Sequence, residues 1–465
     1  MGIQINGATD TISASDGSLS VSSSESTFSG IATFTSGLNV TGGNVTGDLT
    51  GNVTGNVTGN VTGNVTGNVT GNINSSGVST VTTLNATTIS GVSTIGVTTA
   101  TVTTLTVNGN AYPSDGPLSN RNLVINGAMQ VAQRGTSFTG LTGGTNYGAD
   151  RHGFVISGAG TWTVENSTTS LDAFKNSVKI DCTTADASLA AADQCNLRYV
   201  FEGQDLQHLK KGTSAAESLT LSFWVQSNKT GTYIVELYDG DNSRHISKSY
   251  TIGSSGVWEQ KTITFPGDTT GSLNNDNGNS LTVRWWLVAG TDWTSGTLAT
   301  SWQAQDNTDR AVGQVNLADS TANEWQITGV QLEVGTVATP FEHRSYGDEL
   351  ARCQRYYYRK IITQSTDRYC LAFAYVSTTA EGIIQFPVPM RTRPTSVETT
   401  GTASNYALIN SVGSGINCNS VPSFYTSNTE SITLSCSVAS GLAAGQATEL
   451  YSTVSDTYLG FSAEL

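Results

Sequence analysis

Residues 43–74 read GNVT GDLT GNVT GNVT GNVT GNVT GNVT GNIN, eight tetrads without an insertion. A fixed short period means one structural unit repeated. Collagen places Gly at every third position and is rich in Pro, whereas here Gly recurs every fourth residue and Pro is absent. Gly, Val, Thr and Asn are weak helix formers. In an extended strand, side chains alternate faces, so Gly and Val share one face and Asn and Thr the other. The apolar face is then a line one residue wide: Val53, Val57, Val61, Val65 and Val69. A single chain cannot bury such a line against itself. Three copies around an axis can, with Val inward, Gly permitting close approach, and Asn and Thr in water. The alternative is a flexible Gly-rich linker, but a linker has no need to keep Val in register. The Asn-Val-Thr triplets also match the glycosylation acceptor pattern; with no secretion signal beside them, we read them as solvent-facing polar residues.

Of the 465 residues, 12% are charged and 50 are Gly. That is about half the usual charged share, and it suits β-rich extracellular or particle-surface proteins. The net charge of -14 argues against nucleic acid as a partner, because phosphate binding needs clustered Lys and Arg. No window is apolar enough to insert into a membrane, and MGIQINGATD lacks the basic and apolar parts of a signal peptide. The six cysteines, Cys182, Cys195, Cys353, Cys370, Cys418 and Cys436, have no zinc spacing with His152, His208, His245 or His343. Cys182 and Cys195 make the most plausible disulfide, though free buried thiols are expected for a protein assembled in a cytoplasm.

Composition breaks at residue 120. Residues 1–119 hold no Lys, Arg, His, Cys or Trp, while all eight Trp lie between Trp162 and Trp325. The expected fold is mainly β and divides as follows. Residues 1–42 form an N-terminal attachment region. Residues 43–119 form a trimeric intertwined β shaft, ending in the Pro- and Gly-rich hinge AYPSDGPLSN. Residues 120–344 form a jelly-roll β-sandwich, 345–359 a short linker helix with Leu350, Cys353 and Tyr357 on one stripe, and 360–465 a C-terminal β-rich tip domain. In LTLSFWVQS (219–227), Leu219, Leu221, Phe223 and Val225 share the core face, with Trp224 opposite. In LTVRWWLVA (281–289), Leu281, Val283, Trp285 and Leu287 face the core, with Arg284 and Trp286 opposite.

The GNVT shaft behind GIQINGATDTISASDGSLS resembles fibre proteins of tailed phages, especially those of marine cyanobacteria. NRNLVINGAMQVAQRGTSF (120–138) and WQITGVQLEVGTVATPFEHRSYGDELARCQRYYYR (325–359) are similar to the carbohydrate-binding-module-like jelly roll of phage tail fibres. FPVPMRTRPTSV (386–397) and YLGFSAEL (458–465) resemble their C-terminal units. The resemblance implies a homotrimeric virion fibre, assembled in the host cytoplasm. Residues 1–42 would attach to another virion protein, and the distal part would meet host surface polysaccharide. Related sugar-binding modules often hold a structural calcium through an acid in an opening NG-x-x-E segment; that position is Gln130 here, a departure from the pattern that argues against an equivalent calcium.

No cofactor is expected. Calcium is conceivable at the acidic loop 267–279 or the YDGDN turn 238–242, although neither follows an EF-hand pattern and exposed turns are the simpler reading. No nucleophile elbow or HExxH is present. The candidate glycan-binding residues are therefore aromatic and polar side chains expected on one outward sheet face: Trp224, Glu236, Tyr238, Arg284 and Trp286. Glycan contact is weighed there against burial by a neighbouring sheet or subunit. The expected function is a non-catalytic adhesin for host glycan. A purely structural fibre or capsid decoration is the first alternative and a glycan depolymerase the second.

Overall fold

The computed structural model describes residues 119–465, Thr41, and a short antiparallel pair, β1 (Thr106–Val107) with β2 (Asn110–Ala111). The expected attachment region, nearly all of the shaft, and the axial residues Val53, Val57, Val61, Val65 and Val69 lie outside the described residues.

The first β unit contains β3 (Ser137–Ala149), β4 (His152–Thr168), β5 (Asn176–Thr184), β6 (Gln194–Glu202), β7 (Leu219–Ser227), β8 (Gly231–Asp239), β9 (Arg244–Ile252), β10 (Glu259–Phe265), β11 (Asn279–Ala289), β12 (Gln303–Ala304) and β13 (Glu324–Val334). They form one continuous antiparallel ladder, β10-β7-β13-β5-β4-β6-β11-β8-β9-β12, with β3 on β4. The ladder curls into two layers because β4 serves both. Its Thr161–Thr168 end pairs with β5, and its Gly153–Ser157 end pairs with β6. Between the two ends, Gly158 (φ 92°) and Gly160 (φ 68°) adopt left-handed backbone that a side chain would strain, so the strand bends from one layer into the other. This is the curled β-sandwich of jelly-roll modules.

The core lies between the layers. Leu219, Leu221, Phe223 and Val225 of β7 meet Leu281, Val283, Trp285 and Leu287 of β11, all buried, as alternation requires. Cys182 and Cys195 are free and buried, on β5 and β6, which flank β4 on opposite sides; the disulfide considered for them is absent.

The linker helix (Tyr346–Gln354) is shorter than the expected 345–359. Ser345 caps it, accepting the Asp348 N–H at 3.2 Å, and Asp348 and Glu349 occupy its first turn. Leu350 and Cys353 face the jelly-roll core. Tyr357 is not on the helical stripe; it opens β14 (Tyr357–Ile362), because an aromatic run favours strand and its neighbour Tyr356 is drawn under the Arg151 guanidinium, 3.4 Å from ring centroid to Cζ.

The C-terminal unit continues with β15 (Arg368–Val376), β16 (Thr379–Gln385), β17 (Glu398–Thr399), β18 (Tyr406–Ile409), β19 (Gly415–Asn417), β20 (Ser423–Ser427), β21 (Ser431–Ser437), β22 (Ala447–Ser452) and β23 (Thr457–Ser462). A three-stranded sheet, β14-β23-β17, and a seven-stranded one, β19-β18-β22-β15-β16-β21-β20, enclose a second core. Pro387 and Pro389 fall just beyond β16, outside any strand. The outer face of the larger sheet carries exposed apolar side chains, Leu371 at 74%, Tyr375 at 68% and Ile383 at 55% with Phe373 between them, interleaved with Glu381 and Glu449.

The two β units are pinned together by charge. Glu464 pairs with Arg151, and with Arg134 at 3.4 Å. Arg391 donates to the carbonyls of Ala463 (2.7 Å), Glu464 (2.8 Å) and Asn277 (2.8 Å). Arg355 grips Glu202 through two bonds of 2.8 and 2.7 Å.

Candidate functional site

The outward face of the β4-β6-β11-β8-β9 layer carries a continuous cross-strand row: Tyr147, Gly153, Arg198, Arg284, Glu236 and Ser247. It spans five strand intervals, about 24 Å at the usual spacing. Gly153 makes room for Tyr147, whose ring would lie 3.2 Å from an added Cβ. Burial, then the nearby Glu464 charge, pushes the Tyr147 hydroxyl up to about 12, so it stays a neutral hydrogen-bonding group.

Four of the five sequence candidates meet on this face. Glu236 is fully buried and lies at the hub. Arg310 holds it with a two-pronged contact, Nε to Oε1 at 2.7 Å and Nη2 to Oε2 at 3.1 Å. The Trp286 indole donates to Oε2 at 3.2 Å, and Arg284 approaches Oε2 at 3.5 Å. Above this buried layer, Arg284 lies 4.9 Å from the Tyr238 ring centroid, and the Tyr238 hydroxyl donates to Gln305 at 2.9 Å. Arg310 is also 5.2 Å from Tyr238 and 5.5 Å from Trp286. Tyr238, Arg198 and Arg284 remain partly open to solvent.

Two expectations need correction. Trp286 and Glu236 are not exposed: both are at 0%. The register was right, since Trp285 faces the main core and Trp286 faces away. However, Trp286 is covered by a separate small cluster with Ile234, Ala311, Trp293 and Leu298. The covering chain runs from a one-turn helix at Thr291–Thr294 to Ala311, a stretch whose sequence carries no strand pattern. A charged Glu236 tolerates burial because Arg310 pairs with it in full. Trp286 and Glu236 therefore lie beneath the open part of the face.

Trp224 is not on this face at all. Phe223 and Trp285 meet across the core, so their chain neighbours point out of opposite layers. Trp224 instead lies beside Phe174 at Gly329, next to the Phe174, Phe341 and His343 ring cluster.

Sequence reading missed Arg198, Arg310 and Trp293. Arg198 sits in a strand (QCNLRYVFE) whose alternation points it outward, so it was legible. Trp293, 5.4 Å from Trp286, and Arg310 belong to the covering chain, where no periodicity marks direction.

The acidic loops considered for calcium do come together, at Asn242 and Ser272 (2.9 Å) and at Asp241 and Asn274 (2.8 Å). Two of their four carboxylates, Asp239 and Asp268, are met by side-chain cations, while Asp241 accepts from Asn274 and Asp276 from the Gly278 N–H. Lys211 pairs with Asp239 and with Asp268 at 3.1 Å, and donates to the Gly271 carbonyl at 2.9 Å. Arg244 reaches Asp268 at 2.7 Å. Gln130, at the position of the implied calcium acid, is exposed.

No protein-family model matches the chain, and no curated protein matches it. Among solved structures, it is similar to the enzymatically active domain of bacteriophage CBA120 tailspike protein 4, at 10% identity and TM-score 0.24, covering 46% of this chain and 21% of that one. It is similar to a family 11 carbohydrate-binding module of Clostridium thermocellum solved with a mixed-linked tetrasaccharide, at 12% identity and TM-score 0.23, covering 44% and 99%. A tandem CBM22 pair from Paenibacillus barcinonensis matches at 8% identity and TM-score 0.21, covering 74% and 98%. The chain thus spans about a fifth of the tailspike chain. Similarity at this level carries no functional argument.

Proposed function

We propose that the protein is a non-catalytic glycan-binding fibre subunit of a phage virion, which attaches the particle to host surface polysaccharide. The carrying observation is the Tyr238–Arg284 pair, an aromatic ring and a guanidinium held side by side on an outer sheet face by the buried Glu236–Arg310 ion pair. An aromatic ring offers a sugar its apolar CH face, and Arg donates to hydroxyls. Glu236 is fully engaged by Arg310 and Trp286, which suits a supporting role better than proton transfer.

The proposed assembly is a homotrimer, with residues 1–42 on another virion protein. The Val line of the repeat calls for copies of this same chain, and the outer face with Leu371, Phe373, Tyr375 and Ile383 exposed is of the kind that marks an interaction surface. We assign that face to a second copy of the chain, because the proposed shaft would already hold copies side by side.

The test is retention of the purified full-length chain by host envelope polysaccharide in affinity electrophoresis. Retention that Tyr238→Ala weakens supports the adhesin. Release of soluble fragments would replace it with a depolymerase, and no retention would leave a structural fibre.

A further inference from the structure

Arg198 and Arg284 are direct cross-strand partners on the outer face of β6 and β11, which places their Cβ atoms about 5 Å apart. Like charges in that relation are unfavourable unless something lies between them. Arg284 has a 3.5 Å approach to Glu236, but Arg310 already occupies that carboxylate from two directions. Among the described residues, Arg198 has no carboxylate partner; its side-chain bond is a long one, 3.4 Å to the Thr145 hydroxyl. Arg284 and Arg310 thus share one carboxylate and Arg198 has none, in a chain whose net charge is -14.

Resting on the glycan-binding reading above, we propose that Arg198 and Arg284 form an anion subsite, and that the polysaccharide recognised is acidic, bearing a carboxylate, sulfate or phosphate group. Guanidinium forks match such oxyanions in a bidentate way. The acidic remainder of the protein repels polyanions in general, so attraction must be local to this pair. Tyr238, beside Arg284, takes the sugar ring that carries the acid.

The experiment is affinity electrophoresis of the full-length chain in gels containing matched polysaccharides. Polygalacturonate is compared with its methyl ester, and dextran sulfate with dextran. The expected result is retention by at least one charged polymer about tenfold stronger than by its uncharged counterpart, and the pair that shows it separates carboxylate from sulfate. The Arg198→Gln/Arg284→Gln double variant, checked for an unchanged melting curve, should lose that preference. Lys175→Gln, an exposed cation beside β5 in the other layer, should keep it. Equal retention of charged and uncharged polymers would overturn the subsite, as would a preference that survives the double variant or is lost in Lys175→Gln. If the double variant still binds host envelope polysaccharide like the wild type while Tyr238→Ala does not, the subsite falls and the glycan-binding reading stands. If no polysaccharide retains the wild type, both fall.

Discussion

Phe223 and Trp285 meet edge to face across the jelly-roll core, ring centroids 5.8 Å apart and planes at 82°. Each is followed in sequence by a tryptophan, and the contact sends those two tryptophans to opposite outer faces. Trp286 is then roofed by its own small cluster, while Trp224 stays half-buried. Trp286→Ala should cost about 3–5 kcal/mol of stability as a buried cavity, and Trp224→Ala about 1–2 kcal/mol. Thermal or urea unfolding of the two variants decides it. Equal small losses would mean that Trp286 is not roofed.

The second prediction concerns Asp150 and His152, both buried. Burial raises the Asp150 carboxyl from its ordinary value to about 6, although Gln133 donates to it, and burial lowers His152 to about 3. The two act in opposite directions. Asp150 holds its proton more tightly folded than unfolded, so its contribution is present below pH 4 and is lost as pH rises through 6. His152 is kept neutral in the fold, so its contribution is present above pH 6.5 and is lost as pH falls toward 3. Across pH 4–6 they offset each other. Relative to wild type, Asp150→Asn should gain stability as pH rises through this window, by on the order of 2–3 kcal/mol. His152→Gln should lose relative stability over the same rise. Urea titrations at pH 4, 5 and 6 measure both slopes, and parallel curves for all three proteins would refute the assignment.

Glu202 offers a test of the joint between the two β units. Burial opposes its ionisation, yet the hydrogen bonds from Arg355 and Tyr356 hold its carboxyl below the usual glutamate value. Arg355→Met leaves that carboxylate without its cation. The expected loss is about 3 kcal/mol, moderated because the Arg355 side chain is 32% exposed. A lowered folded pKa contributes stability above the unfolded pKa and loses it as pH falls through the folded one. The variant's deficit should therefore be largest at neutral pH and shrink below pH 4.5. A deficit that grows on acidification would contradict the pairing.

For the assembly, Val61→Asp places three like charges at one level of the proposed shaft, where unpaired buried charge is costly. Light scattering should show frayed or monomeric chains. A trimer of unchanged mass and protease resistance would remove the axial role of Val53 to Val69.

Much of this fold was legible in the sequence because strand alternation fixes direction. Leu219–Ser227 is a strand over the very residues expected, and the core faces of β7 and β11 were assigned correctly. The candidate face was harder. Alternation shows that Trp286 points away from the core, but not that the chain from Trp293 to Ala311 returns to cover it. Nor does it show which layer a strand joins, which is why Trp224 was grouped with Arg284. Lys211 among the acidic loops, and Arg310 on Glu236, are pairings between distant segments, and no local pattern encodes them. The helix ended early because Tyr356 and Tyr357 are claimed by arginines of the other unit.

The most direct test of glycan recognition at the β6-β11-β8 face is calorimetric titration of the full-length chain with host envelope polysaccharide, comparing Tyr238→Ala with Trp224→Ala. Tyr238→Ala should weaken binding by about 1–2 kcal/mol with little change in melting temperature, and Trp224→Ala should bind as wild type does. Binding lost in Trp224→Ala and kept in Tyr238→Ala would place recognition on the opposite layer and contradict the account.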